Sequence, residues 1–353
     1  MLLEFTSKGI YCSQLDWYVD PWVPVDKAII THAHSDHAKW GCNHYLSHEL
    51  SEPVLRLRLG QDIRLETLSY GQTIIKNGVK ISLHPAGHII GSSQVRLEYQ
   101  GEVWVVSGDY KVEYDGLSTA FEPVACHSFI TECTFGLPVF KWEQQSQILA
   151  EVNEWWKTNS ENDITSVLLG YPLGKIQRLL FHLNPEIGKI YAHGSVFNTT
   201  NVLRSSEILF PEITRVTNEI DKKHYRKAMI LAPPSAIQSP WIKKFKPFSA
   251  GLASGWMTLR GAKRRRPVDR GFILSDHADW DGLLGAIEAT GAERVFATHG
   301  YKSIFARHLR ELGYDAHEAD TLWEGEVAEE SGGEDTEEAK SKTLKDNEKE
   351  VGQ

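Results

Sequence analysis

The sequence predicts a mixed α/β (α+β) protein in which one domain is interrupted by another. Three observations support this prediction: β-like runs fill the first third, strand and helix patterns alternate after Pro138, and a second strand-helix-strand-helix stretch begins at Gly271. The 353 residues exceed a typical single domain. A composition with 41% hydrophobic and 24% charged residues excludes collagen-like, wholly disordered and disulfide-scaffold proteins.

The first third is expected to form an antiparallel or mixed sheet. Its candidate strands are residues 28–31, 79–85, 93–99 and 102–109. Asn77-Gly78 and Gln100-Gly101 separate consecutive strands by two residues of the kind that favours hairpin turns.

The later elements are predicted from helical spacing and apolar runs. Beyond Pro138 we expect a helix at 146–159, a strand at 163–172, a helix at 174–184 and a strand at 189–193. From Gly271 we expect a strand at 271–275, a helix at 279–291, a strand at 294–298 and a helix at 303–313. The expected segments are 1–140, 141–266, 267–323 and an acidic disordered tail at 324–353.

Charge and cysteine content bear on the protein's binding partners and its cellular location. The tail carries eleven acidic residues and four lysines, which leaves −2 of the formal net charge of −9 on residues 1–323. The basic run at 263–266 and the lysines at 243, 244 and 246 are compatible with phosphate contacts, although such runs are more often solvated surface. Four scattered cysteines, no long apolar run and no signal peptide predict a cytoplasmic protein with reduced thiols and no membrane association.

The strongest chemical signal is a set of four potential metal ligands within residues 32–37, directly after the predicted strand at 28–31. Residues alternating along extended chain point the same way, so His32 and His34 can bind one ion, while Asp36 and His37 face a neighbouring position. Further candidate ligands follow other strands: His88, Asp109 and His299. Asp109 can bridge two cations because a carboxylate has two oxygens.

The ordered set resembles the metallo-β-lactamase fold, and specifically its β-CASP nuclease branch, over most of the chain. Asp20, residues 32–37, His88 and Asp109 resemble motifs 1 to 4 of the fold. Glu132, His277 and His299 resemble the β-CASP motifs A, B and C, and residues 174–178 are similar to a Gly-Lys-x-Gln-Arg segment of this branch. The resemblance implies an αββα metallo-β-lactamase sandwich (1–140 and 267–323) with an inserted β-CASP α/β domain (141–266).

The resemblance also implies roles. His32, His34, His88 and Asp109 would hold one ion, and Asp36, His37, Asp109 and His299 the other. Zinc is expected, with manganese as the alternative, because all these ligands offer nitrogen or oxygen. The two ions would generate a bridging hydroxide nucleophile. His277, oriented by Glu132, would be the general acid, and Asp20 would hold a ligand in place.

Substrate contacts are expected in the inserted segment. Lys175, Arg178 and Ser195 are candidate phosphate contacts, although the Lys175 and Arg178 side chains could equally cap or solvate a helix. Five tryptophans could stack on bases, but packing is the favoured expectation: Trp17, Trp22, Trp40, Trp142 and Trp256.

The whole chain resembles bacterial ligase-associated DNA exonucleases, through residues 86–94 among others. This resemblance implies DNA repair, a DNA substrate that is single-stranded or has free ends, and a DNA ligase or helicase as partner. His299 keeps an RNA-processing ribonuclease as the alternative, because members related to Artemis carry valine at motif C and RNA 3′-end-processing members carry histidine. A catalytically silent scaffold is disfavoured by the complete ligand set, and a small-molecule hydrolase by the inserted segment.

Overall fold

The computed structural model describes residues 1–259, 261 and 267–321. The basic run at 263–266 and the predicted tail at 324–353 lie outside the described residues. The described part contains two sheets packed face to face and a third sheet beside them. No helix in these ranges is both long enough and apolar enough to cross a membrane.

The elements are numbered in chain order. The strands are Glu4–Thr6 (β1), Gly9–Cys12 (β2), Trp17–Val19 (β3), Lys27–Ile29 (β4), His44–His48 (β5), Leu65–Leu68 (β6), Thr73–Lys76 (β7), Val79–Pro85 (β8), Ser93–Tyr99 (β9), Glu102–Val106 (β10), Ser128–Cys133 (β11), Thr165–Leu169 (β12), Ile190–Ala192 (β13), Thr214–Arg215 (β14), Met229–Ala232 (β15), Phe248–Ala253 (β16), Arg270–Phe272 (β17), Arg294–Gly300 (β18) and Asp315–Glu318 (β19). The α-helices are Glu52–Leu59 (α1), Gln145–Glu161 (α2), Lys175–His182 (α3), Gly194–Arg204 (α4), Trp280–Thr290 (α5) and Lys302–Glu311 (α6). Short 3₁₀ helices cover Glu49–Ser51, Lys222–Tyr225, Pro234–Gln238, Pro240–Phe245 and Gly255–Thr258.

The first two sheets form a sandwich. Sheet 1 runs β1 to β6 in chain order, and sheet 2 has the order β19-β18-β11-β10-β9-β8-β7. Both sheets are mixed, as expected: β7 to β10 are antiparallel neighbours, whereas β10, β11, β18 and β19 pair in parallel. The predicted hairpin turns are confirmed, because Asn77, Gly78, Gln100 and Gly101 all have positive φ, as type I′ turns require.

Apolar side chains define the layers. One core lies between sheets 1 and 2 and includes Ile10, Leu46 and Trp104. On the outer face of sheet 2, α5 and α6 contribute Leu283 and Phe305 to a second core. The helix on the other outer face is α1, so the sandwich has an αββα arrangement.

The third sheet is parallel throughout, with the order β14-β13-β15-β12-β16-β17. We call residues 145–272, which contain this sheet and α2 to α4, the third-sheet unit. Its helices share one core with α1, including Leu55 of α1, Trp156 of α2 and Leu179 of α3. The sheet continues to Phe272 and so passes the domain boundary expected at residue 266, because β17 pairs with β16.

Candidate metal centre

Segments that follow strands of sheets 1 and 2 meet at one buried place. Residues 32–37 follow β4, His88 follows β8, Asp109 follows β10, and His299 lies at the end of β18. The seven candidate ligands among them are buried, from 0% exposed for His32 to 9% for Asp36. The structure therefore brings together every residue that the sequence predicted as a metal ligand.

Asp109 lies at the centre of this cluster. Its Oδ2 is 3.6 Å from His32 Nε2, 3.5 Å from His37 Nε2 and 3.9 Å from His88 Nε2, and its Oδ1 is 3.0 Å from His299 Nε2. Three groups of potential ligands share it: together with Asp109, His32, His34 and His88 form the first, His37 and His299 form the second, and Glu132 and His277 form the third. Asp36 borders the second group, with Oδ2 3.6 Å from His37 Nε2.

Hydrogen bonds turn lone pairs of the first group inward. His34 Nε2–H donates to the backbone oxygen of Leu173 over 3.1 Å, and His88 Nδ1–H donates to that of Asp276 over 2.8 Å. Burial lowers the pKa of both imidazoles, so each carries a single proton, already engaged. The remaining nitrogens, His34 Nδ1 and His88 Nε2, are 3.2 Å apart with no proton between them.

This spacing fits a cation. Two nitrogen ligands of a tetrahedral zinc ion lie about 3.3 Å apart, given zinc–nitrogen bonds of about 2.0 Å. His32 is directed in the same way, because its Nδ1 is 3.0 Å from Thr31 Oγ1. Its Nε2 is buried and has no hydrogen bond within the part of the chain that the structure describes. These donors fit a divalent ion.

Asp20 orients His37, a member of the second group, by accepting a hydrogen bond from its Nδ1–H. The Thr31 hydroxyl and backbone N–H donate to the Asp20 carboxylate over 2.5 and 2.8 Å, and His37 Nδ1–H donates to it over 2.7 Å. Although burial opposes the charged form, Asp36, Asp109 and Asp20 raise the pKa of His37 to about 10. The centre therefore favours positive charge at this position, as a metal site does.

Glu132 and His277 lie beside the ligands. His277 Nδ1 is 2.9 and 2.8 Å from the two carboxylate oxygens of Glu132, and the backbone N–H of Tyr110 donates to Glu132 over 2.8 Å. The His277 ring lies 4.7 Å from the His88 ring, between centroids. Glu132 fixes the orientation of the imidazole next to the candidate metal centre.

The predicted phosphate contacts have partners within the protein. Lys175 and Arg178 are each 1% exposed and form ion pairs with Asp276 rather than facing solvent. Ser195 lies in the first turn of α4, with Oγ 2.9 Å from His193 Nδ1.

The five tryptophans lie in three different settings. Trp17 and Trp22 pack in the core between sheets 1 and 2. Trp142 and Trp256 contact Phe135, whose ring lies 5.9 Å from that of His277, while Trp40 is 67% exposed.

Apart from Asp20, sequence reasoning missed the residues that orient the ligands. Thr298 repeats the arrangement of Thr31: its hydroxyl donates to the backbone oxygen of Thr131 and lies 3.2 Å from His299 Nδ1. A threonine thus directly precedes two candidate ligands, His32 and His299, and this repeated Thr-His pair was a usable signal. No comparable signal pointed to the backbone oxygens of Leu173 and Asp276.

Comparison with known proteins agrees with this architecture. No protein-family model matches the chain. It is 31% identical over 88% of its length to a probable DNA ligase of Opitutus terrae, and 22% identical over 69% to endoribonuclease YSH1 of Kluyveromyces lactis. An RNase J-like protein of Methanocaldococcus jannaschii is 24% identical over 82% of the chain and is itself covered to 79%.

The chain spans only 30% of the Opitutus protein and 39% of the Kluyveromyces protein. Among solved structures, a protein of unknown function from Enterococcus faecalis superposes with a TM-score of 0.55 at 10% identity, covering 78% of this chain and 75% of that one. Together, the layers and these relatives show the metallo-β-lactamase/β-CASP fold, so the predicted fold class is confirmed.

Proposed function

We propose that this protein is a two-metal phosphodiesterase that acts as a DNA exonuclease, with DNA repair as its setting. The observation that carries the proposal is the position of Asp109, whose carboxylate belongs to both the first and the second group: Oδ2 faces His32, His88 and His37, and Oδ1 faces His299. Paired divalent ions bridged by a carboxylate are a recurring arrangement for phosphodiester hydrolysis.

The ligand groups divide between two ions. His32, His34, His88 and Asp109 would hold one, and Asp36, His37, Asp109 and His299 the other. Zinc is proposed, with manganese as the alternative, because these donors are nitrogen and oxygen atoms. When bound, the ions would supply Lewis acidity toward the phosphate and a water of lowered pKa.

His277 and Glu132 would handle the leaving group. Water that has released one proton to solvent adds to phosphorus as hydroxide, the bond from phosphorus to the leaving sugar oxygen breaks, and that oxygen takes a proton from His277 Nε2, which regains one from solvent after the reaction. Glu132 holds Nδ1–H at 2.8 Å and stabilises the imidazolium that donates this proton. Burial of both groups keeps water from competing for the Nδ1 contact.

DNA is favoured by a relative that matches 88% of the chain. The Opitutus protein is named a probable DNA ligase, and this chain resembles 30% of it. A nuclease that trims ends would prepare them for ligation, so a ligase is the partner we propose. Ribonuclease activity is the second candidate, because the Kluyveromyces and Methanocaldococcus relatives are named an endoribonuclease and an RNase J-like protein.

Matched DNA and RNA oligonucleotides, labelled at either end, test both candidates. We expect the protein with Zn²⁺ or Mn²⁺ to shorten DNA progressively from one end, and the Asp109→Asn variant, purified identically, to leave it intact. Cleavage of RNA alone would replace the first candidate with the second. If the wild-type protein cut neither polymer with either metal, the nuclease proposal would be wrong.

A further inference from the structure

The third-sheet unit reaches the candidate metal centre through a backbone carbonyl. The oxygen that accepts from His34 belongs to Leu173, in the turn between β12 and α3. The ring of Tyr171, in the same turn, lies 4.8 Å from the ring of His34. A ligand candidate carried by the sandwich is therefore oriented by a separate layer of the fold.

A second contact passes through Asp276. Its backbone oxygen accepts from His88 over 2.8 Å, and its carboxylate is held by the third-sheet unit: Arg178 Nη2 lies 2.9 Å from Oδ1, and Lys175 Nζ lies 3.8 Å from Oδ2. Arg178 Nη2 also donates to the backbone oxygen of Ser275 over 2.8 Å. One guanidinium thus fixes two consecutive residues of the segment that orients His88.

The same segment positions His277. The Ser275 hydroxyl accepts from the backbone N–H of His277 over 3.1 Å. Arg178, Asp276 and Ser275 are at most 3% exposed, so water has little access to replace these contacts. Displacement of Arg178 would loosen the anchors of a candidate metal ligand and of the candidate proton donor together.

The third-sheet unit also packs tightly against the loop that carries His88. Gly174 has a φ of +93°, and a Cβ built on it would lie 2.3 Å from Cγ2 of Ile89, the residue after His88. The turn of the third-sheet unit therefore sits against the ligand-bearing loop without room for one more carbon atom. A small separation of the two layers would alter the positions of Leu173, His34 and His88.

We propose that Arg178 and Asp276 are positioning residues that couple docking of the third-sheet unit to metal binding. The inference rests on the metal site of the proposed function but not on its nucleic-acid substrate. The backbone oxygens of Leu173 and Asp276 are direct partners of candidate ligands, and partners of this kind typically contribute about 10- to 100-fold to metal affinity. Because coupling is reciprocal, bound metal must stabilise the docked arrangement by the same factor.

A double-mutant cycle tests the proposal without nucleic acid. Zn²⁺ affinity is measured by chelator competition for wild type, Arg178→Met, Asp276→Asn and the double variant, with the exposed Arg226→Met as the matched control. We expect each single variant to bind Zn²⁺ about 10- to 100-fold more weakly, and the control to match wild type. The visible absorption of bound Co²⁺ should also change in the three site variants.

The double variant separates positioning from stability. It removes two of the three buried charges and leaves Lys175, so the melting temperature of the metal-free protein should recover relative to Asp276→Asn, which removes the carboxylate from beside both cations, while Zn²⁺ affinity stays low. Zn²⁺ affinity within twofold of wild type in the double variant would overturn the proposal. Intact metal coupling without nuclease activity would contradict only the proposed function.

Hydrogen exchange on the wild-type protein provides a measurement that needs no variant. Adding Zn²⁺ to metal-free protein should protect the amides of residues 171–178 and 275–277, and leave the hairpin at 4–12 unchanged. Equal exchange of residues 171–178 with and without bound Zn²⁺ would also overturn the coupling.

Discussion

Oδ1 of Asp109 lies 3.0 Å from Nε2 of His299, which comes from a strand nearly two hundred residues later in the chain. The other carboxylate oxygen faces His32, His37 and His88. Because β10, β11 and β18 are parallel neighbours, the loop after β10 and the end of β18 reach the same edge of sheet 2. This topology gives one carboxylate two sets of partners.

Substitution of Asp109 by asparagine should abolish metal pairing while leaving the fold intact. An amide offers one oxygen where the carboxylate offers two, so we expect less bound metal per chain and cleavage reduced about 10²-fold or more. Metal analysis and a nuclease assay check this. Asp281→Asn, at an exposed ion pair, is the control. Undiminished cleavage by Asp109→Asn would contradict the bridging role.

His277→Ala should separate chemistry from metal binding. We expect normal metal content and cleavage slowed about 10²-fold or more, because the leaving oxygen loses its proton donor. Glu132→Gln should also slow cleavage, since an amide stabilises the imidazolium less well. Single-turnover rates at saturating metal measure both effects. An unchanged rate in His277→Ala would remove His277 from the mechanism.

Thr31→Val should weaken metal binding without removing a ligand. The substitution deletes the hydroxyl between the Asp20 carboxylate and His32 Nδ1. We expect Zn²⁺ affinity to fall about 10- to 100-fold, as for other outer partners of ligating histidines. Thr31→Ser keeps the hydroxyl and should restore most of the affinity. If the Thr31→Val and Thr31→Ser variants bound Zn²⁺ equally well, the hydroxyl would have no orienting role.

Gly174→Ala should destabilise the protein, since the new Cβ would overlap Ile89 at a backbone φ that favours glycine. We expect the free energy of unfolding to fall by about 2 kcal/mol, measured by urea denaturation. Gly285→Ala is the matched control: no atom lies within 4 Å of its added carbon, and helix propensity predicts a gain of about 0.5–1 kcal/mol. Equal stability of the two variants would contradict the tight packing at Gly174.

Local pattern predicted much of this molecule. The strands at 79–85 and 93–99 were predicted with the bounds that β8 and β9 have, since turn residues flank each run. The ligand candidates after β4 were predictable because residues two apart in extended chain share a face. β10, in contrast, ends at Val106 rather than at residue 109, since the next residues leave the ladder to carry Asp109 into the centre.

Long-range burial could not be predicted in the same way. Lys175 and Arg178 begin a predicted helix, and the sequence offered two roles for them, contact with a phosphate or capping and solvation of the helix. In the structure they are buried against Asp276, about a hundred residues away in the chain. A pairing of this kind depends on how two layers of the fold dock, and neither composition nor the spacing of residues in the sequence predicts such a contact.

Anomalous diffraction at the zinc absorption edge, from crystals grown with Zn²⁺, would count the ions held at this centre. We expect two peaks per chain about 3.5–4 Å apart, with Asp109 in contact with both. A single peak, or none, in a protein folded as described would contradict a two-metal centre.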